Sequence, residues 1–273
     1  MKNDSAAPFL MSLVLAALII LCSAFASGAR VQPSAVEAGR TPVVVELFTS
    51  EGCSTCPPAD ALLQKLAAQQ PVPGAEIIVI EEHVDYWNHD GWVDPFSSPE
   101  WTQRQTVYTA LSKKDAYTPE LVIDGQSQFV GSDEQEADLD IEKAAHNVKT
   151  EVAITSGKPE AKGSQRFTVS VGKLAGNKSG DVAEVWLAVT EDGLHSSVSQ
   201  GENAGHVLHH VATLRSLHKI GSADANGASI SFTGDTLVKF NSHWDPANLH
   251  VTVFVQEKKS RAILGAASTK IKG

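Results

Sequence analysis

Cysteine is scarce in this chain: three residues in 273, at positions 22, 53 and 56. So few thiols exclude a disulfide-stapled scaffold, and each folded unit must bury its own apolar core. Clustered positive charge is also missing. Acidic residues outnumber basic ones 32 to 22, for a net charge of −10. A chain this acidic, without a Lys/Arg cluster, is a poor nucleic-acid or anionic-membrane binder. The acidity is read as solubility. Beyond the first 26 residues no apolar run reads as a membrane segment. There is no internal repeat and no further low-complexity tract.

What the chain does have begins at its N-terminus. Phe9 to Leu21 is an uncharged, apolar run, and Ala24-Phe25-Ala26 follows. The run is shorter than the roughly 18 residues that a membrane span needs. With the A-x-A site it reads as a signal peptide, residues 1–26, with Ser27 starting the mature chain. Residues 27–41 read as a flexible lead. Removing the signal takes away one Lys and one Asp, so the net charge stays at −10. It also takes away Cys22, leaving Cys53 and Cys56 as the one possible intrachain bridge. Export places that pair in a compartment where disulfides persist, so a periplasmic or secreted location is expected.

The pair stands at a change of period. Val43–Phe48 reads as a buried strand, Cys53-Ser54-Thr55-Cys56 follows, and Ala59–Gln70 carries Ala59, Leu62, Leu63 and Leu66 on one helical stripe. A Cys-x-x-Cys at a strand-to-helix junction signals a redox dithiol. Ile77–Ile80 is a second strand. Ser98-Pro99 opens a second helix, with Ser98 as cap; Trp101, Gln105, Tyr108 and Leu111 share one of its faces. Leu121–Ile123, the Asp124-Gly125 turn and Gln128–Val130 form a hairpin. Ser132 and Gln135 fit a capping box on a last helix running to about Asn147. From about residue 150, short alternating strands and Gly/Asn/Ser-rich turns take over: 166–171, 182–190, 207–217, 228–232, 237–240, 249–256 and 263–268. The expected boundaries are therefore 42–149 for an α/β domain and 150–273 for an all-β, sandwich-like domain.

The βαβ–αββα order resembles the thioredoxin fold, with Thr118-Pro119 standing immediately before a strand. The resemblance implies that Pro119 is cis and that Thr118 and Pro119 face the dithiol and bind substrate. It implies an exposed, attacking Cys53 and a more buried, resolving Cys56. A closer resemblance is carried by Glu46–Asp60, His83-Val84-Asp85-Tyr86-Trp87 and Gly201-Glu202-Asn203-Ala204-Gly205. These segments are similar to a family of secreted bacterial proteins catalogued as domain of unknown function 1223. That resemblance implies a thioredoxin-like fold and supplies no substrate.

The chemistry follows from the thiols. A thiolate attacks a disulfide sulfur and a second thiol resolves the mixed disulfide. A helix N-terminus lowers the thiol pKa through free N–H groups and the helix dipole. Pro57-Pro58 distorts or delays that helix start, and Glu46, Glu51, Glu81 and Glu82 oppose thiolate formation.

Other side chains carry two readings each. Glu46 is either the proton acceptor for Cys56 or an acid at the strand end, solvated or paired. His83, with Asp85, is either a second proton-transfer group or a polar strand terminus. Trp87, Trp92, Phe96 and Trp101 are either a client groove or core under a long loop, with core favoured. His206, His209 and His210 have no recognised zinc spacing and are read as ordinary strand histidines.

Three functions compete. The first is an exported thiol–disulfide oxidoreductase acting on protein thiols or disulfides. The second is a copper-binding module using the cysteines and His83. The third is a protein whose Cys53–Cys56 disulfide is a staple. No cofactor, no metal, no nucleic-acid partner and no stable membrane insertion after signal cleavage are expected.

Overall fold

A computed structural model describes residues 39–160, 163–175, 181–223 and 232–271. The expected signal peptide, Cys22, the expected lead up to residue 38 and most of the strand expected at 228–232 lie outside the described residues. In chain order the elements are β1 (Thr41–Thr49), α1 (Pro57–Gln69), β2 (Ala75–His83), α2 (Pro99–Ser112), β3 (Glu120–Ile123), β4 (Ser127–Val130) and α3 (Glu134–Ala145). Then come β5 (Val152–Glu160), β6 (Ser164–Val171), β7 (Ala183–Glu191), β8 (Leu194–Ser197), β9 (Val207–His210), β10 (Thr213–Ala223), β11 (Phe232–Lys239), β12 (Leu249–Glu257) and β13 (Ile263–Lys270).

The expected arrangement, an α/β thioredoxin-like domain followed by a β-sandwich, is not what forms. One eight-stranded mixed sheet runs through both halves in the order β13-β12-β7-β10-β2-β1-β3-β4. The joint is β10 on β2. These strands pair in parallel at Thr213 and Glu81, and the Glu81 N–H donates to the Ala212 carbonyl at 3.0 Å. A free β2 edge would expose unpaired backbone groups; β10 meets that edge at this one pair, at its C-terminal end. The change of period near residue 150 is thus a change of strand content within one sheet.

Each layer follows from alternation. Val43, Val45 and Leu47 of β1 point to one face, where they pack with Leu62, Leu63 and Leu66 of α1 and Ile141 of α3. Val44 of β1 and Ile78 and Ile80 of β2 point to the other, against Trp101 of α2 and Phe254. A separate three-stranded sheet, β11-β6-β5, covers β7 and β12 through Phe167, Val169, Val185 and Val253. Full burial of such a Val, Leu or Phe contributes about 1.5–3 kcal/mol.

Local signals mostly hold. Ser98 caps α2, its Oγ accepting from the Glu100 N–H at 3.1 Å. Asp124 and Gly125 both have positive φ, 48° and 67°, and the Gln126 N–H closes the turn on the Ile123 carbonyl at 2.9 Å, within a three-residue connection from Ile123 to Ser127. The α3 cap is displaced by one residue: Asp133, not Ser132, accepts from the Glu136 N–H. Leu111, expected on the buried face of α2, is 48% exposed. The strand expected at 207–217 is two strands, β9 and β10, broken at Val211-Ala212 where Ala212 has φ 47°. Residues 219–223, beyond the strand expected at 207–217, continue β10. Strands β5 and β8 lack a clear sequence signal.

Candidate functional site

Cys53 and Cys56 form a disulfide, with Cα atoms 5.4 Å apart, inside the usual range for a bridge. The loop after β1 turns twice to make it. The Cys53 N–H donates to the Ser50 carbonyl and the Cys56 N–H to the Cys53 carbonyl, both at 3.2 Å. Cys56 is the N-cap of α1, so the two prolines do delay the helix past Cys53. They also remove two N–H groups of the first turn, and the next, on Ala59, donates to the Cys56 carbonyl at 2.8 Å. No free first-turn N–H is left there to stabilise a Cys53 thiolate.

Cys53 is not the exposed residue that was expected. It is 1% exposed and Cys56 is fully buried, while Ser54 and Thr55 between them face solvent. The cover comes from distant segments. The Asn203 side-chain amide donates to the carbonyls of Glu51 (2.9 Å) and Cys53 (3.0 Å). The Glu202 carboxylate accepts from the Ser54 N–H at 3.0 Å. Trp87 lies over Gly52, where an added Cβ would stand 3.1 Å from the Trp87 Cβ.

Thr118 and Pro119 are beside the dithiol. Their peptide bond is cis. The Thr118 carbonyl lies 3.9 Å from Cys53 Sγ, and the Thr118 hydroxyl accepts from Trp87 Nε1 at 2.7 Å. A Cβ added to Gly131 would meet Ala59 and Pro119 Cβ atoms, both at 3.1 Å, so the proline packs close to the first turn of α1.

Glu46 does not join them. It points to the α2 face, where Arg104 Nε donates to it at 2.6 Å and the Tyr108 hydroxyl at 2.5 Å. Glu82 lies in the same buried group, 3.3 Å from Arg104 Nε. Burial and the Glu46 charge hold the Glu82 carboxyl well above the usual range.

The buried carboxylate on the dithiol face is instead Asp60, one helical turn after Cys56. Its Oδ1 accepts from the Thr49 hydroxyl at 2.7 Å. Burial, reinforced by the Glu81 charge, raises it to about 7.

His83 and Glu81 share that face because they are two residues apart on a strand; Glu82 between them points the other way. His83 Nδ1 is 2.7 Å from Asp94 Oδ2, and Nε2 is 3.5 Å from Glu81 Oε2. His210, at the end of β9, reaches the same point: Nδ1 is 3.2 Å from Glu81 and Nε2 is 3.0 Å from Glu51. Burial alone would lower both histidines. The carboxylates outweigh it, raising His83 well above its usual value and His210 to about 9. The Glu81 carboxyl is lowered in turn, His210 and His83 outweighing burial.

Asp85 stays apart, accepting from the Thr102 hydroxyl. Of His206, His209 and His210, the last is buried and the other two are exposed. Among the aromatics Trp101 is core at 4% exposure, and Trp87, Trp92 and Phe96 are half-buried. The residues that sequence reading left without a role are Asp60, Asp94, Glu202 and Asn203. A buried acid one turn after Cys56 was the available signal for Asp60; the others come from segments remote in sequence. A cavity of about 410 Å³ is lined by Arg40, Gln70, Asp192 and His250 among others, and neither cysteine lines it.

Two solved structures share the architecture. A crystal structure of protein AGR_C_4864 from Agrobacterium tumefaciens aligns over 85% of this chain and 96% of its own, with TM-score 0.59 and 22% identity. HBP35 of Porphyromonas gingivalis aligns over 85% of this chain and 76% of its own, with TM-score 0.62 and 16% identity. At these identities the likeness is one of fold. No functionally curated protein matches the chain. The family described as "Protein of unknown function (DUF1223)" matches residues 44–256, most of the sequence and the whole of the dithiol site, and the chain belongs to it.

Proposed function

We propose that the chain is an exported thiol–disulfide oxidoreductase whose clients are protein thiols or disulfides in the periplasm or outside the cell. The observation that carries the reading is the Cys53–Cys56 bridge at the head of α1 with the Thr118 carbonyl 3.9 Å from Cys53 Sγ. The disulfide is compatible with an oxidising, extracytoplasmic compartment.

In the reductive direction the Cys53 thiolate attacks a client disulfide and releases one client thiolate, which takes up a proton. The Cys56 thiol then loses its proton and attacks Cys53 Sγ. This closes the protein disulfide and releases the second client sulfur as a thiol. Two electrons pass to the client, and the opposite direction reverses each bond change. Asp60 is the group suited to accept and return the Cys56 proton. It lies one turn further along the helix, and a carboxyl raised to about 7 exchanges protons at neutral pH.

A second reading is favoured by one observation. Both cysteines are buried, as in a disulfide that only staples its loop. Trapping separates the two. Cys56→Ser should accumulate mixed disulfides with protein clients through Cys53, and Cys53→Ser should accumulate none. Equal and negligible trapping by both variants supports the staple.

A further inference from the structure

Independently of the redox reading, we infer that Glu81, His83 and His210 form a binding site for one divalent cation of the zinc class. The three residues supply one ligand atom each within 4.8 Å of one another, and all three are buried. Zinc bonds of about 2.0–2.1 Å in tetrahedral geometry separate neighbouring ligand atoms by about 3.3 Å. Glu81 Oε1 stands 3.2 Å from His210 Nδ1 and its Oε2 3.5 Å from His83 Nε2, so each carboxylate oxygen lies at about that spacing from one imidazole.

A second observation points to a ligand. His83 is 1% exposed, and its Nε2, directed at Glu81, makes no hydrogen bond. A buried ring nitrogen without a partner is costly. As an imidazolium this nitrogen has only the 3.5 Å ion-pair approach to Glu81, whereas a cation between His83, His210 and Glu81 uses its lone pair.

The outer nitrogen of each imidazole is already held. His83 Nδ1 faces Asp94 at 2.7 Å and His210 Nε2 faces Glu51 at 3.0 Å. Carboxylates in these places fix the tautomer that leaves the inner nitrogen free to ligate, and they raise its basicity. They are themselves anchored. Asp94 accepts from the Glu51 N–H at 2.8 Å, Glu51 from Trp92 Nε1 at 2.7 Å, and Glu81 from the Thr213 hydroxyl at 3.1 Å. A set of two imidazoles and a carboxylate, without sulfur, suits zinc better than Cu(I) or Mg²⁺. Three protein ligands leave the fourth position to water or a further ligand.

The test is zinc titration of the full chain, metal-stripped and with the disulfide intact so that thiolates take no part. One zinc per chain is expected. His83→Gln and His210→Gln should abolish or weaken binding at least 100-fold, and Asp94→Asn should weaken it about 10–100-fold. The exposed variant His209→Ala should bind as the parent does. Circular dichroism checks that the buried variants fold. Should they not, cobalt(II) bound to the unaltered chain must show tetrahedral d–d bands without thiolate charge transfer. The inference is overturned if the unaltered chain takes up no stoichiometric zinc, if His209→Ala removes the binding, or if cobalt gives an octahedral spectrum.

Discussion

The side-chain amide of Asn203 donates to the main-chain carbonyl of Cys53 at 3.0 Å, across 150 residues of sequence. With its second bond, to the Glu51 carbonyl, it clasps the dithiol loop from a segment that packs with neither β1 nor α1 in sequence order. Removing both bonds leaves two buried carbonyls short of a donor, a loss of about 1–3 kcal/mol. Asn203→Ala should lower stability by that amount and speed reduction of the disulfide by dithiothreitol about tenfold, the factor that ~1.4 kcal/mol of local opening corresponds to. Unfolding curves and reduction kinetics measure both. A reduction rate equal to the parent's would show that the clasp does not control access.

Glu46 and Arg104 form an ion pair whose side chains are 0% and 5% exposed. Breaking one side of such a pair costs about 3–5 kcal/mol, because the remaining charge is left buried. Arg104→Met should therefore destabilise the chain by that order in denaturant titration while leaving the reduction potential of Cys53–Cys56 unchanged. A shifted potential without loss of stability would return Glu46 to the proton-transfer role read from the sequence.

Glu120, next to Pro119, is raised from the usual 4.5 to about 7, chiefly by burial. Its side chain accepts from Gln105 Nε2 at 2.8 Å. Because the folded state holds this proton more tightly than the unfolded state, stability from Glu120 is greatest below pH 4.5. It declines as pH rises and levels off above about 7. Glu120→Gln should flatten that decline, an effect on the order of 3 kcal/mol for a buried carboxyl raised this far. Chemical denaturation at pH 4.5 and pH 7.5 reads the difference. A parent whose pH dependence survives the substitution would contradict this assignment.

Gly125 has φ 67°, and a Cβ there would stand 2.0 Å from the Arg261 carbonyl oxygen. The positive φ disfavours a side chain, and the clash forces the β3–β4 turn off the segment that precedes β13. Gly125→Ala should cost about 2–4 kcal/mol, above the usual single-substitution loss. Thermal unfolding tests it, and an unchanged midpoint would mean the turn yields freely.

Much of the local structure was legible because its signals are local. The Ser98 cap, the Asp124-Gly125 turn and the Leu62, Leu63, Leu66 stripe are each written within a few residues. The β2–β10 junction is not, because a single parallel pairing between Glu81 and Thr213 joins segments 132 residues apart. The same distance hides the site. Alternation along β2 places Glu81 and His83 on one face, but nothing in the sequence aims His210 at them. Of the two readings of Glu46 the structure gives the paired one. A buried acid in a central strand is visible, while its partners Arg104 and Tyr108 become visible only once α2 is docked.

The central claim, an exchanging rather than a stapling disulfide, is tested most directly by the Cys53–Cys56 reduction potential, read by alkylation and mass spectrometry across glutathione buffers. The account predicts a value between about −120 and −270 mV, the span of known dithiol oxidoreductases, with Cys53 alkylated first. A value well below about −300 mV would contradict it.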